Sequence, residues 1–329
     1  MVRPPDPLSR FATRQARIGV LLGGISSERE VSLRSGEAVA KALEAAGHPV
    51  ERIDVRDDRG DFLAEQSIDV AFIALHGRFG EDGGVQRLLE RRGIPYTGSD
   101  AGASARAMDK ADSKRLFAAR EVPTAPFAVI PLSEGLTAAR AAAERIGWPV
   151  VVKPSCEGSS VGVSIHATEM TLPQGLREAY AHGPTAIVEQ YVKGREMTVG
   201  ILDGAALPIV EMRPKRKFFD YDAKYRDADT EYIVDPPMPD RLRERIQAAA
   251  IEAHRALGCG SYSRVDIILS RWRRPCVLEV NTIPGMTERS LFPKAARAAG
   301  IEFPALCERL VLRALELAAK RPVARGNVA

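Results

Sequence analysis

Short apolar runs alternate with amphipathic stretches over the first hundred residues. Each run ends at glycine or at polar residues, which is typical of buried strands. Between the first two runs, apolar positions recur with the spacing of a helix until Gly47-His48-Pro49 ends it. This alternation of strand and helix predicts a parallel α/β sheet. The predicted strands are residues 17–22, 50–55 and 68–75.

Two glycine-rich loops follow predicted strands of this sheet. Residues 23–28 follow the first strand, and residues 76–83 follow the third. Ligand sites of parallel sheets gather at the carboxyl ends of strands, so both loops are candidate binding elements. Ser27, with Glu30 three residues later, predicts a capping box at the start of the intervening helix.

The second half of the chain has its own alternating pattern. A charged helix over residues 108–120 leads through a proline-rich junction into strands at 149–153 and 186–192. The loop 155–162 between them is rich in Gly and Ser and closely follows Lys153. Small residues let backbone N–H groups approach phosphate oxygens, and a lysine adds positive charge. The loop is either a phosphate site or an ordinary surface loop.

A polar turn joins two apolar strands within residues 261–281. A regular hairpin here predicts that Asp266 faces Glu279 and that Arg264 faces Asn281, with all four side chains on one sheet face. Two carboxylates ~4 Å apart repel by about 4 kcal/mol at an effective dielectric of about 20. The pairing therefore requires a shared proton or a cation. Oxygen donors of this kind select a hard ion such as Mg²⁺, and the alternative is a solvated charged face.

Ser290 is the predicted N-cap of a helix that starts with Leu291. Free backbone N–H groups at such a position bind a carboxylate or a phosphate. The same serine also fits a plain capping role, and the two roles are compatible.

Composition and charge exclude several classes of protein. Hydrophobic residues make up 45% and charged residues 27% of the 329 residues, which indicates two or three packed domains and excludes a mainly disordered chain. The net charge of +4 is too small to indicate nucleic acid as a partner. No apolar run approaches the length of a membrane span. We therefore expect neither a nucleic-acid nor a membrane partner.

The spacing of cysteines and histidines argues against a zinc site and against a disulfide framework. The four cysteines contain no C-x-x-C pair, and the five histidines form no H-E-x-x-H motif. Reduced, scattered thiols fit a cytoplasmic protein. Residues 1–16 lack the apolar core of a signal peptide, and we expect them to form a mobile arm.

Eight motifs along the chain resemble, in order, those of the D-alanine–D-alanine ligase family of the ATP-grasp superfamily. They lie within a match from about Arg17 to Leu317 and so cover most of the chain. One motif alone would be weak, whereas eight in the family's order are very specific. The motifs are L-L-G-G-x-S-x-E-R-E-V-S (21–32), A-L-H-G-R-x-G-E-D-G (74–83), P-Y-T-G-S (95–99), M-D-K (108–110), V-K-P-S-x-E-G-S-S-V-G (152–162), Y-D-A-K-Y (221–225), R-V-D (264–266) and E-V-N-T-I-P-G-M-T (279–287).

The resemblance implies a three-domain ATP-grasp architecture, α/β in the N-terminal part and α+β in the C-terminal part. After the arm of residues 1–16, an N-terminal α/β substrate domain spans 17–107 and a central subdomain spans 108–195. The C-terminal domain, 196–329, carries the metal and second-substrate sites. ATP lies between the central and C-terminal domains, and the family suggests a homodimer.

The resemblance also implies which residues bind ATP and metal. Those assigned to ATP are Lys110 and Lys153 at the α- and β-phosphates, Lys224 at the γ-phosphate, Ser160 in the phosphate loop, Glu189 and Val192 beside the adenine, and Glu196 at the ribose. Asp266, Glu279 and Asn281 match a site for two Mg²⁺ ions, for which Mn²⁺ can substitute. This assignment agrees with the hairpin argument.

The substrate and catalytic residues are likewise implied by matching positions. Glu28 and His76 match the pocket for the first D-alanine. Arg264 and the backbone of Gly285 match the donors to the reacting oxygen, and Ser290 with Leu291 matches the anchor of the second D-alanine carboxylate. Ser159 and Tyr225 are expected to hydrogen-bond with Glu28 and close the site. The expected catalytic residues are Glu28, Ser159, Tyr225 and Arg264.

The activity implied is ATP-dependent ligation of two D-alanine molecules through a D-alanyl phosphate, supplying D-alanyl-D-alanine for peptidoglycan precursors. Another ATP-grasp ligase, joining a different carboxylate and amine, is the nearest alternative. Glu28, Tyr225 and the region of Ser290 argue against it, since they match the dipeptide pocket. A nucleotide-binding regulator without catalysis is the other alternative, against which the intact phosphate and metal residues argue.

Overall fold

The computed structural model describes residues 16–64, 67–158, 160–213 and 230–320. Three predicted site residues, Ser159, Lys224 and Tyr225, lie outside these ranges, and so does the predicted arm apart from its last residue. The described chain divides into two compact units. One contains the residues up to Ala101 together with those from Gly285 onward, and the other contains Gly102–Pro284.

A three-stranded parallel sheet forms the centre of the first unit. Its strands are β1 (Ile18–Gly23), β2 (Val50–Val55) and β3 (Val70–Ile73), in the order β2-β1-β3. Every residue of β1 and β3 is buried, as expected for strands covered on both faces. The predicted parallel α/β sheet is therefore confirmed.

Among the described residues of the first unit, four α-helices accompany this sheet. They are α1 (Arg29–Ala45), α2 (Gly84–Arg91) and, from the C-terminal residues, α8 (Leu291–Ala298) and α9 (Phe303–Lys320). Helix α9 packs against α1 and β3, so the C-terminal residues complete the core of the N-terminal sheet.

The predicted capping box at the start of α1 is wrong. The helix begins at Arg29, its N-cap position is Glu28, and no side chain caps it. Ser27 therefore lies outside the helix. The neighbouring Ser26 hydroxyl instead accepts a hydrogen bond from the Glu28 N–H at 3.2 Å and donates one to the His76 carbonyl at 2.6 Å. This serine joins the two glycine-rich loops to each other.

The second unit contains two antiparallel sheets with their helices. Its elements are α3 (Ala101–Met108), α4 (Lys110–Ala119), β4 (Phe127–Pro131), α5 (Gly135–Ile146), β5 (Val150–Pro154), β6 (Ser164–His166), α6 (Leu172–Tyr180), β7 (Thr185–Gln190), β8 (Gly194–Leu202), β9 (Ala205–Ala206), β10 (Val210–Arg213), β11 (Glu231–Val234), α7 (Asp240–Leu257), β12 (Tyr262–Ser270) and β13 (Pro275–Asn281). A four-stranded sheet has the order β4-β7-β5-β6, and α5 and α6 cover it with an apolar core. A six-stranded sheet has the order β11-β10-β8-β12-β13, with β9 paired to β8, and α7 packs on it.

The β12–β13 hairpin has the predicted pairs but is not regular. Asp266 lies opposite Glu279, and Arg264 lies opposite Asn281. The register then shifts by one residue, because Ile267 pairs with Val277. The extra residue on β13 forms a β-bulge immediately beside the paired carboxylates, where such irregularities re-aim side chains.

In the part of the chain that the structure describes, no helix combines the length and the apolar character needed to cross a membrane.

Close packing between α1 and β1 generates a stability prediction. A Cβ added at Gly36 would lie 2.4 Å from the Leu22 Cβ, an atom fixed by its own backbone. Alanine gains about 1 kcal/mol of helix propensity over glycine, but overpacking of this kind costs about 1–3 kcal/mol. We expect Gly36→Ala to destabilise the protein by about 1 kcal/mol or more in urea unfolding. Arg34→Ala, on the exposed face of the same helix, should change stability by less than ~0.5 kcal/mol. Equal stability of the two variants would contradict the packing argument.

A buried histidine generates a prediction about acid stability. His254 of α7 shares a 2.8 Å hydrogen bond with the Ser263 hydroxyl of β12, and burial lowers its pKa to about 4. As the pH falls below about 6.5, the ordinary pKa of histidine, the unfolded state therefore binds more protons than the folded state. The free energy of unfolding decreases between that pH and the folded-state pKa of about 4. Between pH 7 and pH 5, wild type should lose about 1–2 kcal/mol more unfolding free energy than His254→Gln. An identical pH dependence in both proteins would refute this.

Candidate active site

A cavity of about 540 Å³ lies in the second unit, with walls from both antiparallel sheets. Its lining includes all six of the predicted nucleotide residues that the structure describes. Those residues are Lys110, Lys153, Ser160, Glu189, Val192 and Glu196. Asp266 and Glu279, two of the three predicted metal ligands, line the same cavity.

A buried carboxylate between two lysines forms one end of this cavity. Glu189 Oε1 lies 2.6 Å from Lys153 Nζ, and its Oε2 lies 2.6 Å from Lys114 Nζ. Burial alone would raise the pKa of Glu189, but the two lysines outweigh it and hold the pKa at about 2. Burial also lowers the pKa of Lys153. The cluster is therefore a charged group of three side chains removed from water.

Lys114 was missed by the sequence reasoning, although a signal for it exists. It lies on α4 at the centre of a buried stripe with Ala111 three residues before it and Phe117 three residues after it. Lysine is almost never fully buried unless it is paired. A lysine on the apolar face of a predicted helix therefore indicates a buried anionic partner.

The M-D-K motif positions Lys110 at the start of α4. Asp109 is the N-cap, and its carboxylate accepts from the Ala111 N–H at 2.9 Å. Ser155, just after β5, donates its hydroxyl to Asp109 and accepts the Lys110 N–H at 2.9 Å. These bonds fix the helix start against the strand that carries Lys153. Lys110 Nζ lies 3.2 Å from Glu279 Oε2.

The facing carboxylates of the hairpin each have a basic partner. Arg264 donates from Nε and Nη2 to the two oxygens of Asp266, both at 2.9 Å, and Thr198 donates to Asp266 Oδ1 at 2.8 Å. Glu279 has Lys110. The prediction that this pairing requires a shared proton or a cation is met here by protein cations.

The donors at this hairpin suit a hard divalent cation. Asp266 and Glu279 present carboxylate oxygens to the cavity, and Asn281 offers an amide oxygen that also accepts the Ile283 N–H at 2.9 Å. Within the described residues, no group of three or more His, Cys, Asp and Glu side chains could hold a metal. Such a site would therefore use the amide of Asn281, and the metal assignment stays a prediction.

The cavity lining also includes a carboxylate that the sequence reasoning did not find. Glu211 on β10 is buried, and Arg195 binds its two oxygens at 2.8 and 2.6 Å while Arg213 approaches at 3.1 and 3.2 Å. Hydrogen bonds from Arg195, the largest effect, lower the pKa of Glu211. This network fixes the wall of the cavity next to Glu196.

In the first unit, the structure brings the predicted first-substrate residues together. Glu28 and His76 are both buried, and a Cβ added at Gly77 would lie 2.8 Å from Glu28 Oε2. His76 Nε2 lies 3.2 Å from the Ser35 hydroxyl, which also accepts the Met286 N–H at 3.4 Å. Ser35, which sequence reasoning missed, connects these residues to the loop before α8.

Ser290 occupies the predicted N-cap position of α8, and Leu291 is the first helical residue. Its side chain makes no capping hydrogen bond; the hydroxyl instead accepts the Thr287 N–H at 3.1 Å. The simple capping role is therefore wrong for the hydroxyl, because Thr287 competes for it. Gly285 lies close by, since a Cβ there would be 3.0 Å from Ser290 Oγ.

Two family models match the chain. The model described as D-ala D-ala ligase N-terminus matches residues 59–99, and that described as D-ala D-ala ligase C-terminus matches residues 116–312, more than half of the chain. The chain belongs to the D-alanine–D-alanine ligase family. Sequence relatives agree with this. The D-alanine–D-alanine ligase of Geobacter sulfurreducens is 48% identical over 308 residues, covering 93% of this chain and 96% of that protein.

Solved structures of D-alanine–D-alanine ligases have the same fold. The enzyme of Bacillus anthracis superposes with a TM-score of 0.84 at 38% identity, covering 92% of this chain and 99% of that one. A second structure from that organism, complexed with ATP, has a TM-score of 0.83 at 34% identity and the same coverage of both chains. The family resemblance and the ATP-grasp fold expected from the motifs are confirmed.

Proposed function

We propose that this protein ligates two D-alanine molecules to D-alanyl-D-alanine at the expense of ATP, through a D-alanyl phosphate. The observation that carries the proposal is the match to this ligase family along most of the chain. The cavity of the second unit supports it, because basic and acidic side chains suited to a metal-bound nucleotide line one space.

ATP occupies the cavity of the second unit in this proposal. Lys110 and Lys153 hold the α- and β-phosphates, and Lys224 holds the γ-phosphate. Ser160 lies in the phosphate loop, Glu189 and Val192 line the adenine, and Glu196 binds the ribose. The volume of about 540 Å³ falls within the usual range for small-molecule sites.

Asp266, Glu279 and Asn281 would hold the metal ions, Mg²⁺ or Mn²⁺. When bound, these ions supply positive charge that stabilises phosphate oxygens during transfer. Arg264 pairs with Asp266 and Lys110 pairs with Glu279, so a metal ion bound there would compete with these two cations for the carboxylate oxygens.

The reaction needs no covalent nucleophile from the protein. The carboxylate of the first D-alanine attacks the γ-phosphorus, which forms an acyl phosphate and releases ADP. The amine of the second D-alanine then attacks the acyl carbon, loses a proton and expels phosphate. Arg264 stabilises the negative charge that develops on the acyl oxygen, as does the backbone of Gly285.

The remaining assignments concern how the substrates are held. Glu28 and His76 bind the first D-alanine, and Ser290 with Leu291 anchors the second carboxylate. Ser159 and Tyr225 hydrogen-bond with Glu28. We further propose a homodimer, a cytoplasmic location and a role in supplying peptidoglycan precursors.

The direct test is synthesis. Purified protein, ATP and Mg²⁺ with D-alanine should yield one ADP, one phosphate and one D-alanyl-D-alanine, identified by mass and chirality. L-alanine in place of D-alanine should yield no dipeptide. ATP hydrolysis without a dipeptide, or a faster ligation of a different carboxylate and amine, would refute the proposal.

The metal assignment predicts the behaviour of Glu279→Gln. Loss of this ligand charge should lower turnover about a hundredfold and raise the Mg²⁺ concentration needed for half-maximal rate. Stability without nucleotide should change by no more than about 1 kcal/mol, since the Glu279 side chain is 26% exposed and Lys110 keeps the Glu157 carbonyl. Glu244→Gln, an exposed change on α7, is the matched control. An unchanged Mg²⁺ requirement in Glu279→Gln would remove this residue from the metal site.

A further inference from the structure

Lys114 is a fully buried cation to which no step of the proposed reaction assigns a role. Its side chain is 0% exposed, lies 2.6 Å from Glu189 Oε2 and donates to the Thr124 hydroxyl at 2.8 Å. Its ammonium also lies 5.3 Å from the centre of the Phe127 ring. A charge so completely removed from water is costly unless it is paired and hydrogen-bonded. These contacts meet that requirement.

The position of Lys114 is set by two strands besides its own helix. Thr124, which accepts the Lys114 hydrogen bond, donates its hydroxyl to the Val277 carbonyl on β13 at 2.9 Å. Glu189 belongs to β7. The ammonium is therefore held from both antiparallel sheets and has little freedom to move.

Charge counting shows what Lys114 contributes. Glu189 gives one oxygen to each lysine, so the three side chains carry a net charge of +1. Lys153 lines the cavity, whereas Lys114 does not. If Lys153 were the only partner of Glu189, the carboxylate would neutralise it. With Lys114 on the other oxygen, one positive charge remains available on the cavity side.

We propose that Lys114 is a positioning residue for the polyphosphate of ATP: it holds the second oxygen of Glu189 and so leaves the Lys153 ammonium free to attract phosphate. This inference rests on the proposed role of Lys153 in nucleotide binding. The positive charge of Lys153 attracts the negatively charged phosphates at a distance, whereas the nucleoside is uncharged. Lys114 should therefore affect the affinity for ADP and not the affinity for adenosine.

The first experiment compares ADP with adenosine as ligands. Lys114→Met removes the charge at similar length, and calorimetry should show ADP binding weakened roughly tenfold or more. Adenosine binding, measured by competition, should change less than about twofold. The KM for ATP should rise in parallel, whereas kcat and the KM for D-alanine should change little. Arg115→Met, one residue away on the exposed side of α4, removes the same charge and should leave ADP binding unchanged.

The second experiment tests whether Lys114 acts through Glu189. The double variant Lys114→Met/Glu189→Gln removes the cation and the carboxylate together, which restores a net charge of +1 on Lys153. Because Glu189 also lines the adenine in the proposed function, the quantity compared is the ratio of ADP affinity to adenosine affinity. This ratio should be higher in the double variant than in Lys114→Met alone. If Lys114→Met does not fold, Lys114→Gln keeps a hydrogen-bond donor without the charge, and its ADP affinity should show the same loss.

Either of two results would overturn the inference. One is an equal loss of adenosine and ADP affinity, which is expected if Lys114 only supports the packing of the cavity. The other is a double variant whose ratio of ADP affinity to adenosine affinity is no higher than that of Lys114→Met.

The outcome is separable from that of the proposed function. Wild-type protein that binds ADP but forms no dipeptide would contradict the ligase assignment and leave the ADP comparison valid. Dipeptide synthesis by wild type, with unchanged ADP affinity in Lys114→Met, would contradict the inference alone.

Discussion

The carboxylate of Glu189 is buried between two ammonium groups, and the geometry of the cavity depends on this arrangement. A lone carboxylate at that depth would take up a proton, because burial disfavours its charged form. Lys114 and Lys153 keep it ionised, and in return it makes the burial of two lysines possible. The contact therefore fixes α4, β5 and β7 relative to one another and places charge on the cavity wall.

The carboxylates of the β12–β13 hairpin are also neutralised by basic side chains, but here each carboxylate has a separate partner. Asp266 and Glu279 face each other, and each has its own basic partner, Arg264 from the same strand and Lys110 from the start of α4. Lys110 thus belongs to the helix that also carries Lys114. Two lysines four residues apart on α4 therefore pair with two carboxylates of the cavity lining, Glu279 and Glu189.

Local patterns predicted the strands of the first sheet, β5, β7 and the β12–β13 hairpin with its facing Asp266 and Glu279, since period-two alternation and short apolar runs are properties of short segments. They did not predict β4, β6 or β8–β11. The predictions from local patterns failed where the conformation of a side chain depends on a tertiary contact or on a competing hydrogen bond. The Ser27 capping box is absent because Ser26 is bound to the loop of His76, and the Ser290 hydroxyl turns to Thr287. Lys114 was not assigned, because its partner Glu189 lies on a strand distant in sequence. Glu211 was not assigned, because Arg195 reaches it from the neighbouring strand of a sheet that was not predicted. The roles of Glu28 and Tyr225 came from the family resemblance and not from pattern.

The first unit is built from two separated parts of the chain, and this has a consequence for synthesis on the ribosome. Helix α9, at Phe303–Lys320, packs on α1 and β3, which are translated more than two hundred residues earlier. Until α9 has been synthesised, part of the apolar surface of the nascent N-terminal sheet therefore stays exposed. Exposed apolar surface of this kind is bound by chaperones and promotes aggregation. Gly102–Pro284 forms one continuous segment. Its core contains all of its own strands before the last helix leaves the exit tunnel, so the nucleotide cavity can form before the N-terminal unit is complete.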